Sequence, residues 1–196
     1  MKCVGRKKDI QIERAPELKR QLVGAKGRKR PKSCAFFDRI FVDRHYMRRA
    51  LSVARKAAQC GEVPVGAVLV WRGHRVAEWG NRVEADGVAL RHAEMLCLEE
   101  GSRRLGWRLN EATMYVTLEP CAMCAGALIH CRLGRLVFAA RDRERGCCGS
   151  MLDLPGQPSL FHHVDVSSGL YEQEASELLR AFFRRRREER RGKEEL

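Results

Sequence analysis

The sequence has no apolar run long enough to cross a bilayer. Its longest, Val63-Pro64-Val65-Gly66-Ala67-Val68-Leu69-Val70-Trp71, falls well short of the roughly 18 consecutive apolar residues a spanning helix needs. The opening residues MKCVGRKKDIQIER lack the apolar centre of a secretory signal. Scarce serine, with Asp9, Glu13 and Glu17 nearby, fits poorly with a transit peptide. No internal repeat is visible. The 9 cysteines are odd in number and follow no signal segment, which argues against a disulfide framework. A reducing compartment, with thiols buried or bound to metal, fits better. These absences lead us to expect a cytoplasmic protein with no membrane partner.

What is present suits one folded domain with tails. The chain has 196 residues, 44% of them hydrophobic, enough to bury a sizeable core. The formal net charge is +13, unevenly placed. Residues 1–37 carry +9 and residues 184–196 carry +3, so the body between them is nearly neutral. Basic ends point to a polyanionic partner, nucleic acid or an anionic membrane surface, although solvated tails have the same composition. Residues 1–37 mix Lys and Arg with Gly, Pro and Ser and show little apolar periodicity. They read as a flexible basic extension, with the folded domain over 38–191.

The patterning alternates helices with strands. Met47, Ala50, Leu51, Ala54 and Ala58 recur at helical spacing, and Gly61 is placed to end that helix. Val65 to Trp71 reads as a buried strand, Arg72-Gly73-His74 as a turn, and Arg75 to Trp79 as the returning strand. A helix from His92 is expected to stop at Gly101. Thr113 to Leu118 and Leu136 to Ala139 read as strands, and Pro120 as the first turn of a helix reaching about Cys131. Residues 140–162 read as loop, Val164 to Val166 as a short strand, and Glu172 to Arg187 as a final helix. Phe182 and Phe183 are adjacent on that helix and cannot both face the core. The pattern predicts a three-layer α/β domain.

Two short segments carry the chemistry: His92-Ala93-Glu94 and Pro120-Cys121-Ala122-Met123-Cys124. Cys121 and Cys124 sit three apart at a helix start, so both sulfurs face one side, and the positive end of the helix favours thiolates. His92 opens another helix. Together they offer one nitrogen and two sulfurs, which leaves the fourth tetrahedral position of a zinc ion for water, as catalytic zinc sites do. Glu94 is the natural acid/base partner for that water. The alternative is a closed four-ligand site recruiting His130, Cys131, Cys147 or Cys148, in which Glu94 would have no task. Alone, a C-x-x-C or an H-x-E is weak. In this order and spacing they form the signature of the zinc-dependent nucleobase deaminases.

From about Asp43 to Arg187 the chain resembles the bacterial tRNA-specific adenosine deaminases of the cytidine/deoxycytidylate deaminase-like zinc family. The resemblance rests on Glu62-Val63-Pro64-Val65-Gly66-Ala67-Val68-Leu69-Val70, Asn81-Arg82, His92-Ala93-Glu94 and Thr117-Leu118-Glu119-Pro120-Cys121-Ala122-Met123-Cys124-Ala125-Gly126-Ala127. It continues through Ile129-His130 and Phe138-Ala139-Ala140-Arg141-Asp142 to Phe182-Phe183-Arg184. It implies a cytidine-deaminase-like α/β/α fold around a five-stranded mixed sheet. It also implies a homodimer, one Zn2+ per subunit on His92, Cys121 and Cys124, Glu94 as proton shuttle, and no organic cofactor. The implied reaction is hydrolysis of adenosine to inosine at the wobble position of a tRNA anticodon stem-loop. In it, Asn81 would bind the flipped nucleotide, Arg141 and Asp142 its neighbours, and Phe183, Arg184 and Arg187 the anticodon loop. Plainer roles exist: Asn81 in a turn, and the arginine run as a solvated helix end. The chain departs from the family at Val88-Ala89-Leu90-Arg91, where Asp-Pro-Thr-Ala is usual. Competing functions are a zinc deaminase of a free base or nucleoside, such as cytosine, cytidine or guanine, and a noncatalytic RNA-binding partner subunit.

Overall fold

A computed structural model describes residues 32–194, with side chains from residue 39 to residue 192. The expected extension over 1–37 therefore lies mostly outside the described residues, and helix α1 (Lys32–Gln59) begins before Asp38. Strand β1 (Gly66–Trp71) is buried along its whole length. It can be apolar on both faces because it lies inside the stack, with Ala67, Leu69 and Trp71 in one core and Val68 and Val70 in the other. Arg72 and Gly73, at φ 49° and 80°, turn the chain into β2 (His74–Gly80). Two successive positive φ angles match the right-handed twist of a tight hairpin.

A short helix that the pattern did not announce, α2 (Val83–Asp86), follows β2. Then come α3 (Ala93–Leu105), β3 (Ala112–Leu118), α4 (Ala122–His130), β4 (Arg135–Ala140), β5 (Asp165–Ser168) and α5 (Glu172–Glu194). The sheet order is β2-β1-β3-β4-β5. β1 is antiparallel to β2 and β3, while β3, β4 and β5 are mutually parallel, so the expected five-stranded mixed sheet is present. Helices α1 and α5 cover one face, where Met47, Ala50, Leu51 and Ala175 meet Tyr115 and Val137. Helices α3 and α4 cover the other, where Cys97, Leu98 and Leu128 meet Met114, Leu136 and Phe138. No helix among the described residues is long and apolar enough to cross a membrane.

Two expectations need correction. Helix α3 does not stop at Gly101 but runs on to Leu105. Gly101 is buried, and a Cβ there would strike the side chain of Leu69, so this glycine lets the helix lie close on β1. Pro120 is not in the first turn of α4: Cys121 is the N-cap, and Pro120 precedes it in the extended entry.

Candidate metal centre

The loops at one end of the sheet bring two helix starts together. His92 is the N-cap of α3, with φ −68° and ψ 150°, and Cys121 is the N-cap of α4, with φ −73° and ψ 175°. An N-cap side chain ordinarily accepts a hydrogen bond from its own helix. Neither does so here. Both are turned toward one another instead, with His92 Nδ1 3.8 Å from Cys121 Sγ and 3.5 Å from Cys124 Sγ.

These three atoms form a group within 4.8 Å of one another, and no fourth His, Cys, Asp or Glu belongs to it among the described residues. Tetrahedral zinc, with Zn–S about 2.3 Å and Zn–N about 2.0–2.1 Å, would give an N···S edge of about 3.6 Å. The observed separations fit that edge. None of the candidates for a closed site joins this group. Cys131 caps the far end of α4, and exposed His130 packs its ring 5.5 Å from that of Phe161. Cys147 directs its thiol to the Arg145 carbonyl at 3.4 Å, and burial pushes both Cys147 and Cys148 up from the ordinary thiol range.

The chemistry of the donor set suits a cation. The Cys121 thiol is pushed down to about 3, first by its hydrogen bond from Cys124 and then by that from His92. Cys124, which donates to it and is largely buried, is pushed up. His92 is raised chiefly by its hydrogen bond to Cys121. The positive ends of α3 and α4 reinforce this concentration of charge on sulfur.

Beside the donors lies Glu94, in the first turn of α3 and only 4% exposed. Burial raises its pKa, and a hydrogen bond joins it to Cys124. Its Oε2 is buried without a hydrogen-bond partner. An unpartnered buried carboxylate oxygen is costly unless a ligand completes it.

Two buried acids that sequence reasoning passed over hold the surrounding loops. Glu62 accepts hydrogen bonds from Asn81 Nδ2 at 3.1 Å and from the backbone N–H groups of Glu84 and Ala85 at 3.2 and 2.7 Å. Glu119, one residue before Pro120, accepts from the backbone N–H groups of Asp142, Cys148 and Ser150 at 3.1, 3.0 and 2.9 Å, and from the Ser150 hydroxyl. Both appear in the motif strings, but a lone acid beside an apolar run reads as surface.

The remaining candidates are spread around this centre. Asn81 is buried on Glu62. Exposed Arg141 reaches the Ser168 hydroxyl at 3.3 Å. Asp142 accepts from the backbone of Glu144 and Arg145 at 3.0 Å, a turn within its own loop. On α5 the neighbouring phenylalanines divide: Phe182 is buried and Phe183 is 44% exposed, and Arg184 and Arg187 are exposed. The end of α5 reaches the site's border, with Arg185 Nη2 donating to the Ala58 carbonyl at 3.5 Å and Arg186 pairing with Glu84 at 3.2 Å. The divergent loop leaves Val88 43% and Leu90 58% exposed.

Residues 42–140 match the family described as the cytidine and deoxycytidylate deaminase zinc-binding region. The chain is 44% identical over 151 residues to a tRNA-specific adenosine deaminase of Bacillus subtilis (strain 168), covering 76% of this chain and 94% of that protein. It is also similar to a solved structure from work on A-to-I editing by tRNA:A34 deaminases at the wobble position of transfer RNA. That likeness has a TM-score of 0.66 at 43% identity, covering 69% of this chain and 99% of the other. A guanine deaminase structure from Nitrosomonas europaea is more distant, with a TM-score of 0.59 at 25% identity over 71% of this chain and 83% of the other.

Proposed function

The chain belongs to the cytidine and deoxycytidylate deaminase zinc-binding family, and we propose that within it the protein hydrolyses adenosine to inosine at the wobble position of a tRNA anticodon. The observation that carries this reading is the pairing of a one-nitrogen, two-sulfur donor set with the buried, unpartnered Oε2 of Glu94. In it, His92, Cys121 and Cys124 hold one Zn2+ per subunit. When bound, zinc supplies a Lewis acid that makes a water's proton easy to remove near neutral pH. Glu94 does the proton work. Its Oε2 takes a proton from the attacking water as the oxygen bonds to C6 of adenine, and the proton passes to ring N1. The remaining proton of the new C6 hydroxyl then passes through Glu94 to the exocyclic amine, the C6–N bond breaks, and ammonia leaves as the C6 carbonyl forms.

Burial around Glu94 excludes bulk water from these transfers. The target base must leave its stack, which costs less in a single-stranded loop than in a duplex. Asn81, held by Glu62, orients the flipped nucleotide, and Arg141 and Asp142 border the neighbouring ones. Phe183, Arg184 and Arg187 meet the anticodon loop, a role supported by exposed Phe183 and by the contacts of α5 with Ala58 and Glu84. The reading includes a cytoplasmic homodimer. Exposed Leu90, Met151 and Leu152, on loops near the donors, offer apolar surface for a second copy to bury.

The experiment is incubation of zinc-loaded protein with an anticodon stem-loop bearing a wobble adenosine, followed by sequencing of the product. Inosine at that position is the expected result. Ammonia release from guanine or cytidine with no inosine in RNA would replace this reading with a small-substrate deaminase. Sedimentation of the same preparation reports the oligomeric state.

A further inference from the structure

On the face of the sheet opposite α3 and α4, a cleft of about 800 Å³ runs between α1 and the edge strand β2. It is lined almost wholly by one face of α1, with Arg44, His45, Arg48, Arg49 and Lys56, and by Glu78 alone from β2. Glu78 is already matched, by Arg49 and by Arg75, the latter at 3.0 Å. Arg44 and Arg48 make no ion pair among the described residues, and Glu172 and Glu174 line a second hollow beside Arg44. Arg44 and Arg48 lie over the ring of Tyr171, at 5.8 and 5.5 Å from its centroid, and Arg44 Nε donates to the Tyr171 hydroxyl at 3.3 Å. Lys56 makes no ion pair among the described residues.

The contrast with the rest of the surface is informative. Around α2 and α3, Arg82 pairs with Asp86, Arg91 with Asp86 and Glu99, Arg103 with Glu99, and Arg104 with Glu100. Residues 38–183 are nearly neutral in sum, so Arg44, Arg48 and Lys56, without ion pairs among the described residues, are a local concentration of positive charge. An aromatic neighbour orients a guanidinium without neutralising it. Guanidiniums so held stay available to bind phosphate oxygens.

The cleft also leads somewhere. From Arg44 to Lys56 the helix rises about 18 Å, and just beyond Lys56 the Ala58 carbonyl accepts from Arg185 of α5. The next residue of α5, Arg186, pairs with Glu84, whose backbone N–H donates to Glu62, the acid that holds Asn81. The basic track therefore ends at the border of the metal centre.

We infer that this cleft binds the sugar–phosphate backbone of the substrate tRNA outside its anticodon loop, an inference that rests on the function proposed above. Its cations are spaced along one helix face, which suits a single strand of phosphates following that face. Residues 1–37, which run into the start of α1, are also strongly basic and carry +9. Phe41, 71% exposed at the mouth, gives a sugar or an unpaired base a surface to lie on.

The test measures affinity for the whole tRNA and for a short anticodon stem-loop across a range of salt. It compares the wild type, the Arg44→Gln/Arg48→Gln/Lys56→Gln triple variant, Lys56→Gln alone, and Arg103→Gln as a charge control on α3. The triple variant should bind whole tRNA at least tenfold more weakly. Its salt slope should fall by about two to three, since each lost phosphate contact removes roughly 0.7–0.9. Its binding of the short stem-loop and its kcat at saturating tRNA should change less than twofold. Arg103→Gln should match the wild type. If the triple variant folds poorly, Lys56→Gln decides, with an expected slope change of about one. Wild-type tRNA affinity and slope in the variants would overturn the inference. So would unchanged tRNA binding alongside lost binding to phosphatidylserine vesicles, which would assign the cleft to a membrane. A wild type that binds tRNA through the cleft but makes no inosine would instead overturn the function and leave the cleft standing.

Discussion

Asp43 and Arg135, 92 positions apart, join α1 to β4 through a two-pronged ion pair, with Nη1–Oδ1 at 2.7 Å and Nη2–Oδ2 at 2.8 Å. The Tyr115 hydroxyl donates to the same carboxylate at 2.8 Å. Burial by itself would raise the Asp43 pKa. The hydrogen bonds from Arg135 and Tyr115, with the positive charges of Arg135 and Arg39, outweigh it and hold the group below its ordinary value. A depressed carboxylate pKa contributes stability that is complete above the unfolded value of about 3.9 and fades as pH falls through the folded value. Asp43→Asn should therefore cost about 2 kcal/mol at pH 7, because it takes the two-pronged partner from a partly buried guanidinium and leaves it only Asp165 at 3.7 Å and the Ser167 hydroxyl at 3.4 Å. The deficit should shrink below about pH 4, where the wild type loses the same charge. Urea unfolding of both proteins between pH 7 and pH 3 measures it. A gap that stays constant with pH would mean the carboxylate's charge is not what stabilises the α1–β4 junction.

Glu94→Gln should separate chemistry from architecture. The replacement keeps the side chain's shape and removes its ability to accept and return a proton. Inosine formation should fall by about 10²–10⁴-fold, while zinc content stays at one per chain. Thermal unfolding should not worsen, since burial already disfavours the charge on this carboxylate. Zinc quantification beside a single-turnover assay checks both halves. Loss of metal together with activity would make Glu94 a ligand.

The donor set can be tested against its cysteine neighbours. Cys124→Ser or His92→Ala should lower zinc occupancy and the melting temperature together, because metal bound to the folded state stabilises it by mass action. Cys147→Ser and Cys148→Ser should retain full zinc, since neither thiol belongs to the three-atom group. A chelator should lower the melting temperature of the wild type, Cys147→Ser and Cys148→Ser by similar amounts and that of Cys124→Ser and His92→Ala much less. Zinc lost from Cys147→Ser alone would revive a four-ligand site.

How much of this was legible in the chain depends on how local each cause is. That Cys121 and Cys124 share one side of a helix start was readable from their spacing, and the structure gathers His92 beside them. Gly101 was misread because its cause is distant: it admits the Leu69 side chain of another element, and nothing beside it in sequence says so. Helix α2 escaped for a related reason. Two of its backbone N–H groups are satisfied by Glu62, about twenty residues earlier, rather than by a local cap. Phe182 and Phe183 could be recognised as a divided pair from adjacency, but only the packing of α5 shows which one is buried. Residue pattern thus reports spacing within an element well and contacts between elements poorly.

Glu119 offers the sharpest test of such a contact. Its carboxylate collects three backbone N–H groups and a hydroxyl from the loop over residues 142–150. That loop returns to the donor helix, where the Cys147 N–H donates to the Pro120 carbonyl at 2.9 Å and Gly146 bridges to Cys121. Glu119→Gln puts an amide where only acceptors are wanted, so at least one N–H group loses its partner, at about 1–3 kcal/mol. Gly146→Ala attacks the same contact from the other side, since its Cβ would collide with the Glu119 carboxylate and the Asp142 carbonyl. Overpacking of this kind costs about 1–3 kcal/mol. Because the two changes disturb one contact, the double variant should lose clearly less stability than the two single losses added together. Both single variants should keep zinc while amide exchange quickens across residues 142–150. Strictly additive losses, or exchange protection unchanged in that loop, would show that Glu119 fills space beside the motif without ordering the loop that borders Cys121.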